Sequence, residues 1–191
     1  MGEGATRPAR GPTPTEAVHG DTTASASTDG GALMGHRALV ARERPDGRHD
    51  LHYSQWGGAD CSLAGALAGG AWPPEGVTAA PLATGVAWVD VLGEHLDPLV
   101  HEALYVVADG AVTAYRSLWL GADPADPAGL LVAVRWADPC DDERVRAWFA
   151  GARSVAGAAR ERDALDAATA ATVVERCLRE WAGDREVVRV P

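Results

Sequence analysis

The chain has 191 residues and a formal net charge of −10, and all 17 of its basic residues are arginine because it has no lysine. This length is enough for one domain with its own hydrophobic core. An acidic excess disfavours non-specific binding to nucleic acid, and no apolar run reaches the ~18 residues of a membrane span. We therefore expect neither a membrane nor a nucleic acid as the partner.

Cysteine usage and acidity indicate the compartment. Cys61, Cys140 and Cys177 are widely spaced and form no CxxC pair, which argues against a disulfide framework and for a reducing environment. The acidic composition is typical of a salt-adapted cytoplasm, where molar salt shortens the Debye length to roughly 3 Å. An ordinary acidic protein from a GC-rich bacterium is the alternative. We expect a cytoplasmic protein without a metal or a cofactor.

The first 33 residues differ in composition from the rest of the chain. They are rich in Gly, Pro, Ser, Thr and Ala and have few large apolar side chains. Such a segment buries too little apolar surface to offset the entropy of ordering it. Residues 1–33 are predicted to be a disordered tail, or an extension from a start codon assigned too early, with Met34 as the natural start. Residues 34–191 are predicted to form a single domain.

Turn chemistry predicts a β-hairpin at the start of that domain. Residues 44–48, with the sequence RPDGR, favour a type I turn followed by a left-handed glycine. This turn pairs Leu39 with Tyr53 and Ala41 with Leu51, so four apolar side chains share a core face. A two-residue Asp-Gly turn would shift the pairing by one and mix the two faces, so we prefer the first register.

The other face of the hairpin is predicted to be polar. Arg42 lies opposite Asp50, which favours a cross-strand ion pair. This polar face comprises His36, Arg42, Asp50, His52 and Ser54.

The remaining chain predicts several strands and then two helices. An Asp109-Gly110 turn indicates a second hairpin, and an acidic segment, residues 138–143, is typical of a helix start. We expect an α+β fold with a mainly antiparallel sheet built from hairpins and covered by two C-terminal helices. The predicted elements are a helix at 61–68 capped by Asp60, strands at 86–92, 103–107, 112–119, 130–136 and 186–190, a helix from 138 to about 155, and a helix at 162–181.

Two segments carry a resemblance to a known family. They are residues 34–40, MGHRALV, and residues 50–57, DLHYSQWG. In them the chain resembles an uncharacterised protein family of haloarchaea, a domain of unknown function, whose members begin near Met-Gly-His-Arg-Ala-Leu-Val. The sequence departs from that pattern at His49, where tyrosine is expected, and at Gln55, where histidine is expected. The resemblance implies a salt-adapted archaeal cytoplasm and a start at Met34, and it implies no activity.

The polar face of the hairpin holds the candidate catalytic residues. Serine, histidine and a carboxylate are the residue types of nucleophilic catalysis, and here they are His36, His52, Ser54 and Asp50. No GxSxG motif surrounds the serine, and a polar solvated face explains the same residues. The hairpin by itself cannot bind a metal, because His36 and His52 lie four residues apart along the strands, roughly 13 Å.

The candidate binding residues lie in the same hairpin and directly after it. Arginine forks suit phosphate and carboxylate groups, and an aromatic ring followed by two glycines allows another group to approach the backbone closely. The candidates are Arg37, Arg42, Trp56, Gly57 and Gly58.

These patterns favour a small non-catalytic binding or regulatory module, with an unknown protein or a small anionic ligand as its partner. The alternative is a small hydrolase or metal-dependent enzyme with a site on the polar face of the hairpin at 35–57. The sequence leaves open whether the protein is an enzyme, because no phosphate-binding loop, zinc motif or kinase motif is present.

Overall fold

The structure, a computed structural model, describes residues 1–2, 36–121 and 128–191. Residues from Met34 to Pro191 form a compact unit of their own. The predicted N-terminal tail lies outside the described residues, apart from Met1 and Gly2.

The described chain folds into seven strands and four helices. The strands are β1 (Ala38–Glu43), β2 (His49–Ser54), β3 (Ala83–Val86), β4 (Ala103–Ala108), β5 (Ala111–Trp119), β6 (Gly129–Val134) and β7 (Val187–Val190). The helices are α1 (Leu63–Ala68), α2 (Trp88–Asp90), which continues as a π-helical turn (Val91–His95), α3 (Asp141–Glu161) and α4 (Ala167–Ala182).

All seven strands belong to one sheet in the order β3-β2-β1-β4-β5-β6-β7. Every neighbouring pair is antiparallel except β1 and β4, which are parallel. The predicted α+β class, with its mainly antiparallel sheet and two C-terminal helices, is confirmed. The parallel pair was not predicted, because turn signals report only strands that follow one another directly, whereas a parallel pair needs a long crossover.

The first hairpin has the predicted register. Gly47 lies in the left-handed region with φ 73°, and its N–H donates to the Arg44 carbonyl at 2.9 Å. The strands pair Leu39 with Tyr53 and Ala41 with Leu51. The turn fixes this register because proline and glycine each occupy the one turn position that suits their backbone angles.

The sheet is covered on both faces. Val40 and Tyr105 belong to a core cluster that includes residues of α1, α3 and α4. Leu39 and Leu104, on the opposite face, pack with residues 88–96. The fold therefore has three layers, with the sheet in the middle.

The second face of the first hairpin was predicted to be polar and solvated, and this prediction is wrong for His52 and Ser54, which are buried. His52 and Ser54 are only 4% and 2% exposed, and Ala38 and Val40 are fully buried. The residues that alternate with the predicted core face meet a second core cluster, which the first helix and the C-terminal helices complete. Alternation shows which residues share a face, but not what covers it.

The second hairpin also follows its turn chemistry. Asp109 and Gly110 both have positive φ, 49° and 78°, and the flanking residues Ala108 and Ala111 pair directly. Positive φ at both central residues is the geometry of a two-residue type I′ turn, whose twist matches that of the strands.

The predicted strand at 86–92 is wrong. The strand β3 ends at Val86, and residues from Trp88 to His95 are helical. Val91 and Leu92 are buried and cover the second face of the sheet. A short apolar run does not distinguish a buried strand from a buried helical turn, and here packing on the sheet decided between them.

Helix boundaries differ from the prediction by several residues. The first helix begins at Leu63, with Ser62 at the N-cap position, and Asp60 does not cap it: the Asp60 carboxylate accepts the Ser62 N–H at 3.0 Å instead. The last helix begins at Ala167, not at 162, because the Asp166 carboxylate accepts the Thr169 N–H at 2.7 Å as an N-cap.

Candidate functional site

A buried arginine is the centre of the polar network that shapes the candidate site. Arg116 lies in β5 between Ala114 and Leu118, two positions away on either side, so strand alternation directs it into the same core. Its side chain is 2% exposed. A buried guanidinium is tolerated only where its N–H groups all find acceptors and its charge is paired.

Asp142, in the first turn of α3, supplies the paired charge. Arg116 Nε donates to one carboxylate oxygen at 2.6 Å, and Nη2 donates to the other at 2.7 Å. Arg146 Nε contacts the same carboxylate at 3.0 Å. Burial lowers the pKa of Arg116, but the hydrogen bonds and charge of Asp142, together with the charge of Glu102, raise it more, so the guanidinium stays charged.

The remaining N–H groups of Arg116 hold backbone in place. Nη1 donates to the Gly58 carbonyl at 2.7 Å and to the Glu102 carbonyl at 3.0 Å, and Nη2 lies 3.7 Å from Cys61 Sγ. One guanidinium thus connects the loop after β2, the start of β4 and the start of α3.

Further hydrogen bonds fix the loop at 55–61. The Tyr105 hydroxyl donates to the Gly57 carbonyl, and the Gly57 N–H donates to Ser54 Oγ at 3.0 Å. The Gly58 N–H donates to the His36 carbonyl at 2.6 Å. Both glycines therefore have their backbone groups bound within the protein.

The two glycines are required by close packing. A Cβ atom on Gly58 would lie 2.6 Å from the Arg37 carbonyl oxygen, and one on Gly57 would lie 2.6 Å from Leu63 Cδ2. The predicted close approach at this pair is therefore an approach to the protein's own chain.

Trp56 projects from this loop with 64% of its surface exposed. Its ring centroid lies 6.5 Å from that of His36, whose Nδ1 is 3.1 and 3.2 Å from the two carboxylate oxygens of Glu102. We call these three exposed or half-exposed residues the Trp56 surface. It joins an apolar ring to a charged, hydrogen-bonded rim.

The candidate catalytic residues each have a partner of their own. Ser54 Oγ accepts the Gly57 N–H, and His52 Nδ1 is 2.8 Å from the Thr78 carbonyl. Asp50 accepts the Gly85 N–H at 3.1 Å and Arg44 Nη1 at 3.2 Å, while His36 pairs with Glu102. The hydrogen bonds of these four residues therefore do not connect them to one another.

The hairpin arginines also diverge. Arg42 stacks over Trp72 at 4.9 Å, while Arg48 Nη1 donates to a backbone carbonyl at 2.9 Å. The predicted ion pair between Arg42 and Asp50 is replaced by one from Arg44, although Arg42 and Asp50 are opposite in the register. Arg37 is half-buried. The arginines that lie close together in the sequence therefore make separate contacts in the structure.

Cys61 is a buried thiol next to the ion pair. Its φ of 59° lies in the left-handed region, and its Sγ donates to an Asp142 oxygen at 3.6 Å. Burial raises the pKa of the thiol to about 12, although the charge of Arg116 opposes this. Burial also raises the pKa of the neighbouring Tyr105 hydroxyl. Neither group is a nucleophile near neutral pH.

Comparison with known proteins adds one finding. The model of a Family of unknown function (DUF6735) matches residues 34–71 and 66–190. The chain belongs to this family. No curated protein and no solved structure matches it significantly.

The DUF6735 match includes Trp56 and His36 in its first segment and Glu102, Arg116 and Asp142 in its second. Sequence reasoning missed Arg116, Asp142 and Glu102. The available signal was an arginine at an inward-facing position of an apolar strand, with an acidic helix start later in the chain, because such an arginine needs a buried carboxylate.

Two further findings concern this DUF6735 chain. Within residues 36–121 and 128–191, no group of three or more His, Cys, Asp or Glu side chains is arranged to hold a metal ion. In the same part of the chain, none of the helices has both the length and the apolar character needed to cross a membrane.

Proposed function

We propose that this protein is a non-catalytic binding module that binds a partner protein through the Trp56 surface. The observation that carries the proposal is the 64% exposure of Trp56 on a loop whose backbone is held by Tyr105, Arg116 and Ser54. Covering an apolar ring of this size with a partner removes apolar surface from water, which favours binding.

Rigidity supports a binding role. Binding costs less conformational entropy when the backbone that carries the anchor residue is already held in place. Tryptophan is among the residues that dominate binding energy at protein interfaces, where a polar rim surrounds the anchor. His36 and Glu102 supply such a rim, since their side chains are 47% and 37% exposed.

A protein partner fits the surface better than a small anion. Anion recognition needs several cationic groups that converge. Here the arginines make separate contacts instead. Arg42 stacks on an aromatic ring, Arg44 pairs with a carboxylate, and Arg48 donates to a backbone carbonyl. The carboxylate of Glu102 also repels an anion next to Trp56.

The hydrolase alternative gains no support from the geometry. A serine nucleophile needs a histidine within hydrogen-bond reach and access for the substrate. Ser54 is 2% exposed and His52 is 4% exposed, and both hydrogen-bond to backbone.

We also propose that the protein works in a reducing, salt-rich cytoplasm. Cys61, Cys140 and Cys177 are all free thiols, and the net charge of −10 causes self-repulsion that salt screens. The free energy of unfolding should therefore rise between about 0.1 and about 2 M KCl, as the Debye length falls from ~10 Å to below ~3 Å. A free energy that falls across this range would contradict salt adaptation.

Quantitative affinity capture tests the binding function. Wild type, Trp56→Ala and the matched control Trp136→Ala would be compared in an extract of the source cells at about 2 M KCl. Trp136 is 38% exposed and lies outside the Trp56 surface. We expect a partner that wild type and Trp136→Ala retain and Trp56→Ala loses. A captured set that is the same for all three proteins would contradict the proposal.

A further inference from the structure

Arginine side chains cover tryptophan rings at three places in the described part of the chain. A guanidinium is attracted to the negative face of an indole ring, and it is more weakly hydrated than an ammonium group, so it loses less on leaving water. Stacking of arginine on tryptophan is therefore a recurrent contact of this fold. Measured from the guanidinium carbon to the ring centroid, the pairs are Arg42 over Trp72 at 4.9 Å, Arg153 over Trp119 at 4.7 Å and Arg185 over Trp181 at 5.1 Å.

Trp56 presents the same kind of ring to solvent, with 64% of its surface exposed. The ring next to it is the imidazole of His36, at 6.5 Å between centroids. Among residues 36–121 and 128–191, no arginine lies over Trp56. An indole face is thus open to a cation from outside the described fold.

Carboxylates surround this ring with negative charge. Glu102, whose side chain is 37% exposed, lies 3.1 Å from His36 Nδ1. Asp60 is exposed and belongs to the same loop as Trp56. The buried Arg116 is 3.5 Å from Glu102, but two of its N–H groups already pair with the carboxylate at the start of α3. With a net charge of −10 on the whole chain, the field around the loop attracts a positively charged partner.

The indole and the carboxylate are close enough to be contacted by one side chain. Trp56 and Glu102 both neighbour the His36 imidazole, one through its ring and the other through Nδ1. A guanidinium can stack up to ~6 Å from a ring centroid and direct its N–H groups to a carboxylate oxygen ~3 Å away.

We propose that the partner protein places an arginine side chain on the Trp56 surface, with its guanidinium stacked on the indole and its N–H groups directed to Glu102. This inference rests on the proposed binding function and specifies the chemistry of the partner, which is a basic segment with an exposed arginine. Arginine fits the surface better than lysine. The guanidinium is planar, so it stacks flat and still points a fork of N–H groups at a carboxylate, whereas an ammonium is a compact, strongly hydrated charge.

An NMR titration of the full chain with N-acetyl-Gly-Arg-Gly-amide tests the proposal. The control probe is the same peptide with citrulline in place of arginine, which has a similar shape and no charge. The indole N–H signal of Trp56, identified by its loss in Trp56→Phe, is followed in about 0.5 M KCl, where a Debye length of roughly 4 Å screens non-specific attraction. We expect the arginine peptide to shift this signal about fivefold more per millimolar than the citrulline peptide.

Glu102→Gln should reduce the response to the arginine peptide about twofold or more, because the amide keeps the shape of the carboxylate and removes its charge. Glu43→Gln is the matched control variant and should respond like wild type. Glu43 is also exposed, but it is the last residue of β1, whereas His36 of the Trp56 surface precedes the first. The citrulline comparison uses wild type, so the test stays decisive if Glu102→Gln does not fold.

Equal shifts with the arginine and citrulline peptides, or equal responses of folded Glu102→Gln and wild type, would overturn the proposal. So would a Trp56 signal that the arginine peptide leaves unchanged up to ~50 mM. The probes are defined peptides, so these outcomes do not depend on the capture of a partner. A captured partner that requires Trp56, combined with no selectivity for arginine, would therefore reject the arginine and retain the binding function.

Discussion

Arg116 and Asp142 face each other across the boundary between the sheet and α3, joined by two hydrogen bonds of 2.6 and 2.7 Å. Their side chains are 2% and 5% exposed. Because the same guanidinium also binds the Gly58 carbonyl, the position of the loop that carries Trp56 depends on this ion pair.

Asp142→Asn should lower the free energy of unfolding by about 3–5 kcal/mol, because it leaves the buried Arg116 charge with only the half-exposed Glu102 carboxylate, 3.5 Å away. Urea unfolding followed by circular dichroism measures the change. Asp184→Asn is the control. Asp184 also pairs with an arginine, but it is 82% exposed, so its loss should change stability by less than about 1 kcal/mol. Equal losses in the two variants would mean that burial does not govern the strength of the Arg116 pair.

Tyr105→Phe should loosen the loop at 55–61. The substitution removes the hydroxyl that donates to the Gly57 carbonyl and leaves that carbonyl unsatisfied, at a cost of about 1–3 kcal/mol. Hydrogen-exchange mass spectrometry should show faster exchange in residues 55–61. Tyr115→Phe is the control, because it removes a hydrogen bond to Glu186 on the other face of the sheet and should leave this loop unchanged.

Gly58→Ala should destabilise the protein by more than about 2 kcal/mol. Its Cβ would lie 2.6 Å from a backbone carbonyl oxygen, and backbone does not move aside cheaply. Gly65→Ala, inside α1, should stabilise the protein by about 0.5–1 kcal/mol. Apart from the helix's own backbone, no atom of the described residues lies within 4 Å of a Cβ added at this position. Thermal unfolding of both variants provides the comparison, and a tolerated alanine at 58 would contradict the close packing of this loop.

Cys61 should resist alkylation in the folded protein. At pH 8 a thiol with a pKa of about 12 is only about one part in 10,000 thiolate, and Cys61 is also buried. Cys140 is exposed and should react readily with iodoacetamide. Peptide mass spectrometry distinguishes the two sites. Denaturation in urea should bring Cys61 to the rate of Cys140, and similar rates in the native protein would contradict the packing around the ion pair.

Asp141 should determine much of the stability in acid. Burial by itself would raise the pKa of its carboxyl. Hydrogen bonds from Arg185, the Arg135 backbone and Arg144 outweigh burial and lower the pKa from the ordinary 3.8 to about 2. Because the folded pKa is the lower one, the carboxylate contributes stability that is fully present above about pH 4 and is lost as the pH falls towards 2.

The measurement is the free energy of unfolding as a function of pH. Between about pH 4 and pH 2, Asp141→Asn should reduce the slope by up to about 1.4 kcal/mol per pH unit, the contribution of one proton. Asp163→Asn, at an exposed aspartate, is the control substitution. An unchanged slope in Asp141→Asn would mean that this carboxyl does not titrate with the predicted shift.

The amino-acid sequence determined the local geometry of the sheet. Gly47 and Gly110 lie at the turns of the two hairpins, and each turn set the pairing of its strands because its backbone angles leave one register. The fold class and the two C-terminal helices followed from the same local patterns.

Tertiary structure decided what covers each face and which charges meet. Residues 88–95 became helical because they pack on the second face of the sheet, and β1 and β4 became parallel neighbours through a crossover that no turn encodes. Arg116 and Asp142 are 26 residues apart, and neither identifies the other in the sequence. Their pairing follows from the cost of burying an unpaired charge, which arises only once β5 and α3 have come together.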